Sequence, residues 1–226
     1  MQTSIPKDLQ SLVYWSIKML GEGIEKHYGK EVYQLVEKTR KKMKSIRSSD
    51  LEETTKVLKS VQRQYAKEPT EKLRKVAHSY SLMLELINRC ESAYRTSRLS
   101  KRQEQNFNKK PHAIVFVFTA HPTEARSPEV LFIFQQIYYT LINALEGGRE
   151  KNQEALRYLL SLALTAPIAR TAKPTVEDEA QHLYSYILRN EILSQQIEFL
   201  KKGITVNFRS WVGGDKDGHP GVDDKT

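Results

Sequence analysis

Five consecutive apolar residues, Ile114-Val115-Phe116-Val117-Phe118, run straight into Thr119-Ala120-His121-Pro122-Thr123-Glu124. A short run rich in β-branched and aromatic residues predicts a buried strand. Pro122 ends it, because proline fixes φ and offers no backbone donor. His121 therefore stands at the C-terminal end of a strand, where α/β proteins place their chemistry. The arrangement recurs near the other end of the chain. There Ile204-Thr205-Val206-Asn207-Phe208 leads into Ser210-Trp211-Val212-Gly213-Gly214-Asp215-Lys216-Asp217-Gly218-His219-Pro220. Two such strands with helices between them suit a neighbouring parallel pair joined by a crossover. A two-stranded parallel sheet is not an independent unit. The pattern thus predicts a mainly α chain with two short parallel strands.

The rest of the sequence reads as helix. Asp8 to His27 carries Leu9, Leu12, Val13, Ile17, Leu20 and Ile24 at three-four spacing. Glu31 to Ser48 carries Val32, Leu35, Val36, Thr39, Met43 and Ile46, and Asp50 caps a third helix on Leu51, Val57, Leu58 and Val61. Pro69 breaks that one, and a long fourth helix runs from Thr70 to about Ser97 on Leu73, Val76, Tyr80, Met83, Leu84, Ile87 and Cys90. Ser100 to His112 is a polar connection without a period. After the first strand, Pro128 opens a helix that ends at Gly147-Gly148. Glu154 to Leu164 forms another, Thr165 to Pro174 reads as a basic loop, and Glu177 to Lys201 forms a single further helix stopped by Gly203.

With 226 residues the chain suffices for one large domain or two small ones. Its net charge of +9 invites a nucleic-acid partner. However, the basic residues are spread along helices among Glu37, Asp50, Glu52 and Glu53, and no nucleic-acid-binding motif accompanies them. A solvated helix face is the reading, with no nucleic acid and, for want of an 18-residue apolar run, no membrane. The single Cys90 forms no internal disulfide, and the first residues lack the form of a signal peptide, so the expectation is cytoplasmic.

Chemistry gathers at the two strand ends. The imidazole of His121 exchanges a proton near neutrality, since its unperturbed pKa is about 6.5. Thr123 and Glu124 either orient that ring or satisfy loop amides. Gly213, Gly214 and Gly218 permit positive φ and close approach of the backbone to a ligand. Asp215 and Asp217 flank Lys216, but the later ligands of a calcium loop are missing, so the aspartates read as ties within their own loop and no metal site is assigned.

These two segments resemble the signature segments of the N-terminal half of bacterial and plant phosphoenolpyruvate carboxylase. The resemblance extends to Leu20-Gly21-Glu22-Gly23-Ile24, Tyr33-Gln34-Leu35-Val36-Glu37-Lys38, Ala77-His78-Ser79-Tyr80-Ser81, Lys173-Pro174-Thr175 and Asp178-Glu179-Ala180. It implies a parallel α/β barrel surrounded by helices, of which residues 1–110 are the helical opening and 111–226 the first barrel strands with their crossover helices. It implies formation of oxaloacetate and phosphate from phosphoenolpyruvate and bicarbonate, through carboxyphosphate and an enolate. His121 falls on the residue assigned the acid–base step on carboxyphosphate.

Magnesium or manganese, homo-oligomers and a long C-terminal part carrying the metal carboxylates and substrate arginines belong to the same expectation. The resemblance makes this chain an N-terminal piece, inactive alone. The alternatives are a non-catalytic helical remnant of the family and, far behind, a basic nucleic-acid binder.

The sequence also departs from the family pattern. Ser127-Pro128 stand where the family carries two adjacent arginines, and Arg126 lies one residue earlier. Lys216 replaces an arginine of the glycine loop, and lysine cannot reproduce a bidentate fork on phosphate. Arg126, Lys216, Asp215, Asp217, Gly213 and Gly214 are the candidate loop and phosphate contacts. The family's sugar-phosphate activator site is expected to be lost.

Overall fold

In a computed structural model of the chain, the described residues are 5–101, 112–118, 126–169, 172 and 175–212. They form α1 (Lys7–Tyr28), α2 (Lys30–Ser45), a 3-10 turn (Ile46–Ser48), α3 (Leu51–Tyr65), α4 (Thr70–Ser100), β1 (Ala113–Phe118), α5 (Pro128–Gly147), α6 (Arg149–Thr165), α7 (Val176–Ile187), α8 (Asn190–Lys201) and β2 (Thr205–Ser210). The chain divides into two compact units. One contains Met1–Lys101 and Phe132–Ile168; the other contains Arg102–Leu131 and Ala169–Thr226.

The first unit is a helical bundle with α1 at its centre, packed on α2, α4 and α6. Leu12, Leu20 and Ile24 of α1 are buried together with Val32, Leu35 and Val36 of α2, Leu82, Leu86 and Cys90 of α4, and Leu156, Leu160 and Leu164 of α6. Close approach depends on Gly23. A Cβ there would lie 3.0 Å from Leu164 Cδ1, so the missing side chain is what seats α6 on α1. Phe134, Ile137 and Leu141 of α5 are also buried, and Tyr138 shares a 2.8 Å hydrogen bond with Thr96 of α4.

Three helical expectations need revision. On α4 the buried stripe is Val76, Ser79, Leu82, Glu85, Leu86, Cys90, Ala93 and Ser97, whereas Leu84 is 60% exposed. The stripe is thus shifted from the apolar residues picked by hydropathy. Small serines and an alanine lie inward because they allow neighbouring helices close, and the Glu85 carboxylate is held by Arg89 at 2.8 Å. On α3, no residue is buried, and Leu51 is 83% exposed. Its expected core stripe is therefore covered only in part, with Val57 and Val61 half-buried and Leu51 and Leu58 exposed. Finally, the single helix expected from Glu177 to Lys201 is two helices. Arg189 takes an extended backbone (φ −67°, ψ 143°) and accepts the first bond of α8 from the Leu193 amide. No glycine or proline marks this break, so periodicity alone does not reveal it.

In the second unit β1 and β2 form a parallel two-stranded sheet in the register Ala113↔Thr205 through Phe118↔Ser210. The expected pairing is therefore present, with β2 shifted towards Ser210. Ile204 instead closes the turn at Gly203 (φ 73°) through its amide to the Phe199 carbonyl. The ring of Phe208 stacks between Phe116 and Phe118, at 5.6 and 5.9 Å. Entry to α7 is fixed by a capping box: Thr175 Oγ1 accepts from the Asp178 amide, and the Asp178 carboxylate accepts from the Thr175 amide.

Candidate functional site

Parallel pairing sets the two strands that precede the chemical segments side by side. Because Phe118 is the register partner of Ser210, both strands finish level, about 4.8 Å apart. Beyond the last rung the Trp211 amide donates to the Phe118 carbonyl at 3.3 Å, and the Val212 amide donates to Ser210 Oγ at 3.0 Å. Phe118 and Val212, the last described residues before the two segments, thus lie at the same C-terminal edge of the sheet. His121, Gly213, Gly214, Asp215, Lys216 and Asp217 themselves lie outside the described residues.

Arg126 is described: it is half-buried, immediately before α5. Ser127-Pro128 form the start of that helix. Pro128 is its first residue, where a missing N–H costs nothing. Ser127 Oγ accepts from the Val130 amide at 3.4 Å, and its carbonyl accepts from Leu131 at 3.0 Å. Ser127 and Pro128 thus serve as the cap and first residue of α5.

The sheet also shows what the site lacks. Parallel strands are normally covered on both faces. Here Val115, Phe116 and Val117 are 46%, 43% and 57% exposed. Among the described residues β1 and β2 have only each other as ladder partners. No group of three His, Cys, Asp or Glu side chains among those residues converges to hold a metal ion.

A second titratable cluster, in the helical unit, escaped sequence reasoning. Tyr28 Oη lies 2.6 Å from both the Leu164 carbonyl and His78 Nδ1. A carbonyl only accepts, so the phenol donates to Leu164 and receives the His78 Nδ1 proton. Burial, reinforced by the Arg74 charge, pushes the His78 pKa down, against a smaller opposing effect of the Ala166 backbone. Burial pushes Tyr28 up. The neutral imidazole therefore joins α1, α4 and the end of α6. These partners are 50 and 136 residues apart in sequence, and no local pattern announces them. Cys90 is buried beside Ser16 Oγ, and burial raises its thiol to about 11, so it is a core residue and not a nucleophile.

Comparison with known proteins finds relatives of a single family. The profile of the family described as phosphoenolpyruvate carboxylase matches residues 9–114 and 108–226. The phosphoenolpyruvate carboxylase of Xanthomonas euvesicatoria pv. vesicatoria (strain 85-10) is 33% identical over 129 residues, covering 49% of this chain and 14% of that enzyme. That of Thermus sp. (strain 71) is 26% identical over 247 residues, covering 91% of this chain and 28% of its own length. That of Corynebacterium diphtheriae is 32% identical over 127 residues, with 49% and 14% covered. The chain thus matches only 14% to 28% of the length of these relatives. With the family profile matched along nearly its whole length, this chain belongs to the phosphoenolpyruvate carboxylase family.

Proposed function

We propose that the chain supplies the N-terminal part of a phosphoenolpyruvate carboxylase and contributes the acid–base residue His121 to carboxylation. Residues 1–110 serve as the helical opening, and 111–226 begin the barrel. The observation that carries this reading is the level parallel pairing of β1 and β2, the two strands that precede the signature segments in sequence. The exposed apolar residues of β1 support it, since further barrel strands and helices would cover them.

In the reaction, bicarbonate oxygen attacks the phosphorus of phosphoenolpyruvate, giving carboxyphosphate and the pyruvate enolate. His121 takes the proton of the carboxyphosphate carboxyl as its bond to the phosphate oxygen breaks. Carbon dioxide and phosphate result, and the enolate carbon attacks the carbon dioxide to give oxaloacetate. The imidazole suits this step because it accepts a proton near neutral pH. A divalent magnesium or manganese ion would be held by the C-terminal part. No helix of the described residues is long and apolar enough to cross a membrane. A cytoplasmic location and homo-oligomeric assembly follow from the same reading.

The test uses the longer enzyme that this proposal requires. His121→Asn is expected to lower oxaloacetate formation by about 10²-fold or more, as loss of a positioned acid–base group does, with phosphoenolpyruvate binding nearly unchanged. Carbon dioxide that escapes leaves the enolate to become pyruvate, so pyruvate should rise relative to oxaloacetate. Unchanged oxaloacetate turnover contradicts the assignment. The 226-residue chain alone is expected to form no oxaloacetate from phosphoenolpyruvate, bicarbonate and magnesium above a protein-free control; formation of it contradicts the incomplete-site account.

A further inference from the structure

The charge of the chain is unevenly placed. Residues 38–67 carry ten lysines and arginines against three acids, which is +7 of the total +9. Residues 176–212 of the strand unit carry four lysines and arginines against five acids. Like-charge repulsion therefore keeps copies of the chain apart at α2 and α3, and not at α7, α8 and β2. That decides between the exposed apolar stripes. Leu51 and Leu58 of α3 stand within the basic stretch, whereas α8 stands in nearly neutral surroundings.

Two stripes run along α8, and only one is covered. Ile192, Gln196 and Phe199 are half-buried, and the helix packs on β2. Leu193, Ile197 and Leu200, the next positions round the helix, are 36%, 52% and 59% exposed. Spacings of four and then three residues align them in one seam, the pattern of a helix that pairs with another helix. The two ends of α8 differ in charge, with Glu191 in the first turn and Lys201 in the last. Arg189, before the first turn, is turned aside: it lies over the Tyr186 ring at 4.3 Å, and its Nε donates to the Ser185 carbonyl at 3.3 Å. An acidic start and a basic end complement each other when two copies run antiparallel. Glu191 of each then stands level with Lys201 of the other, Leu193 fits between Ile197 and Leu200, Glu198 faces Ser194, and the helix dipoles oppose. Parallel copies would instead set Glu191 against Glu191 and Lys201 against Lys201.

We propose that α8 is a homotypic interface: two copies of this chain associate through the seam of Leu193, Ile197 and Leu200 as an antiparallel, two-fold helix pair. Each copy contributes one helix of 12 residues, so the contact is small and the dimer weak and reversible. The proposal does not rest on the His121 assignment. A seam reserved for the rest of the longer enzyme would instead leave this chain monomeric.

Sedimentation velocity of the 226-residue chain in physiological salt, from about 10 to about 500 µM, reads the equilibrium. A reversible, concentration-dependent passage from monomer to dimer is expected. Ile197→Glu should weaken it about tenfold or more, because the seam would enclose a carboxylate. Leu200→Ser should weaken it severalfold with an unchanged circular dichroism spectrum, and decides the matter if Ile197→Glu disturbs the fold. Glu191→Lys should weaken association severalfold, and adding Lys201→Glu should restore it. Leu58→Ser, at the exposed leucine of α3, should leave association unchanged. A chain that stays monomeric throughout overturns the proposal. So does a dimer that survives both Ile197→Glu and Leu200→Ser, which would put the contact elsewhere, such as the open sheet edges. Failure of the charge exchange to restore association overturns the antiparallel arrangement.

Discussion

The helical unit and the strand unit are built from equally apolar segments, yet they treat those segments differently. In the first, Leu12, Leu20, Leu82, Leu86, Phe134 and Leu156 lose nearly all contact with solvent. In the second, the most apolar run of the chain leaves Val115, Phe116 and Val117 substantially exposed, and α8 has no buried residue. The difference follows from how each element satisfies itself. A helix closes its own backbone hydrogen bonds and needs one covered stripe. A parallel strand needs ladder partners on two edges and cover on two faces. A bundle is therefore self-sufficient at this length, and two strands of a barrel are not.

Core truncation should produce the largest contrast. Leu86→Ala is expected to destabilise the helical unit by about 2–5 kcal/mol, since it removes a fully buried side chain and leaves a cavity. Val117→Ala, on the exposed strand, should cost no more than about 0.5 kcal/mol in the same chain. Urea unfolding followed by far-ultraviolet circular dichroism measures both. A large cost for Val117→Ala would break the contrast.

Next comes the link between α1, α4 and α6. Tyr28→Phe leaves the Leu164 carbonyl and His78 Nδ1 without their shared partner, and should cost about 1–3 kcal/mol. The same cluster predicts a pH dependence. His78 is held below its ordinary value, so the unfolded chain binds the proton more readily. The stability from a neutral His78 is complete above about pH 6.5 and is lost as pH falls from there towards the lowered native value. His78→Gln should flatten that acid-side loss, and an unchanged slope would remove His78 from the account. The smallest effect is local. Asp50 accepts from the Glu53 amide at 2.8 Å at the start of α3, and Asp50→Ala should cost about 1 kcal/mol, seen as fraying of α3 and not as loss of the bundle.

Much of this architecture was legible in the sequence. Helix starts and stops followed Asp50, Pro69, Pro128 and Gly203, because caps and proline act locally. Both strands and their pairing followed from apolar runs with polar ends. What escaped depends on distant partners. The α4 stripe is set by how closely other helices approach, which places Ser79 and Ser97 inside and Leu84 outside. The α3 stripe looked like core because amphipathicity states what a helix is able to bury, not what covers it. The break at Arg189 carries no breaker residue, and the Tyr28–His78 contact spans 50 residues. For the site, His121 and the glycine loop are expectations from the sequence that lie outside the described residues, and the register shows only that the strands preceding them end level. The helix cap that Ser127 provides emerged only from the fold.

On the proposed reading, β1 and β2 begin a larger parallel sheet, of which the described residues hold two strands. Hydrogen–deuterium exchange with peptide resolution tests it most directly, applied to the 226-residue chain and to the longer enzyme. In the chain alone, amides of 113–118 and 205–210 should exchange orders of magnitude faster than those in the buried stretches of α1 and α4, and in the longer enzyme they should become as protected as the bundle. Strand amides in the isolated chain that are already as protected as those of α1 would contradict the account.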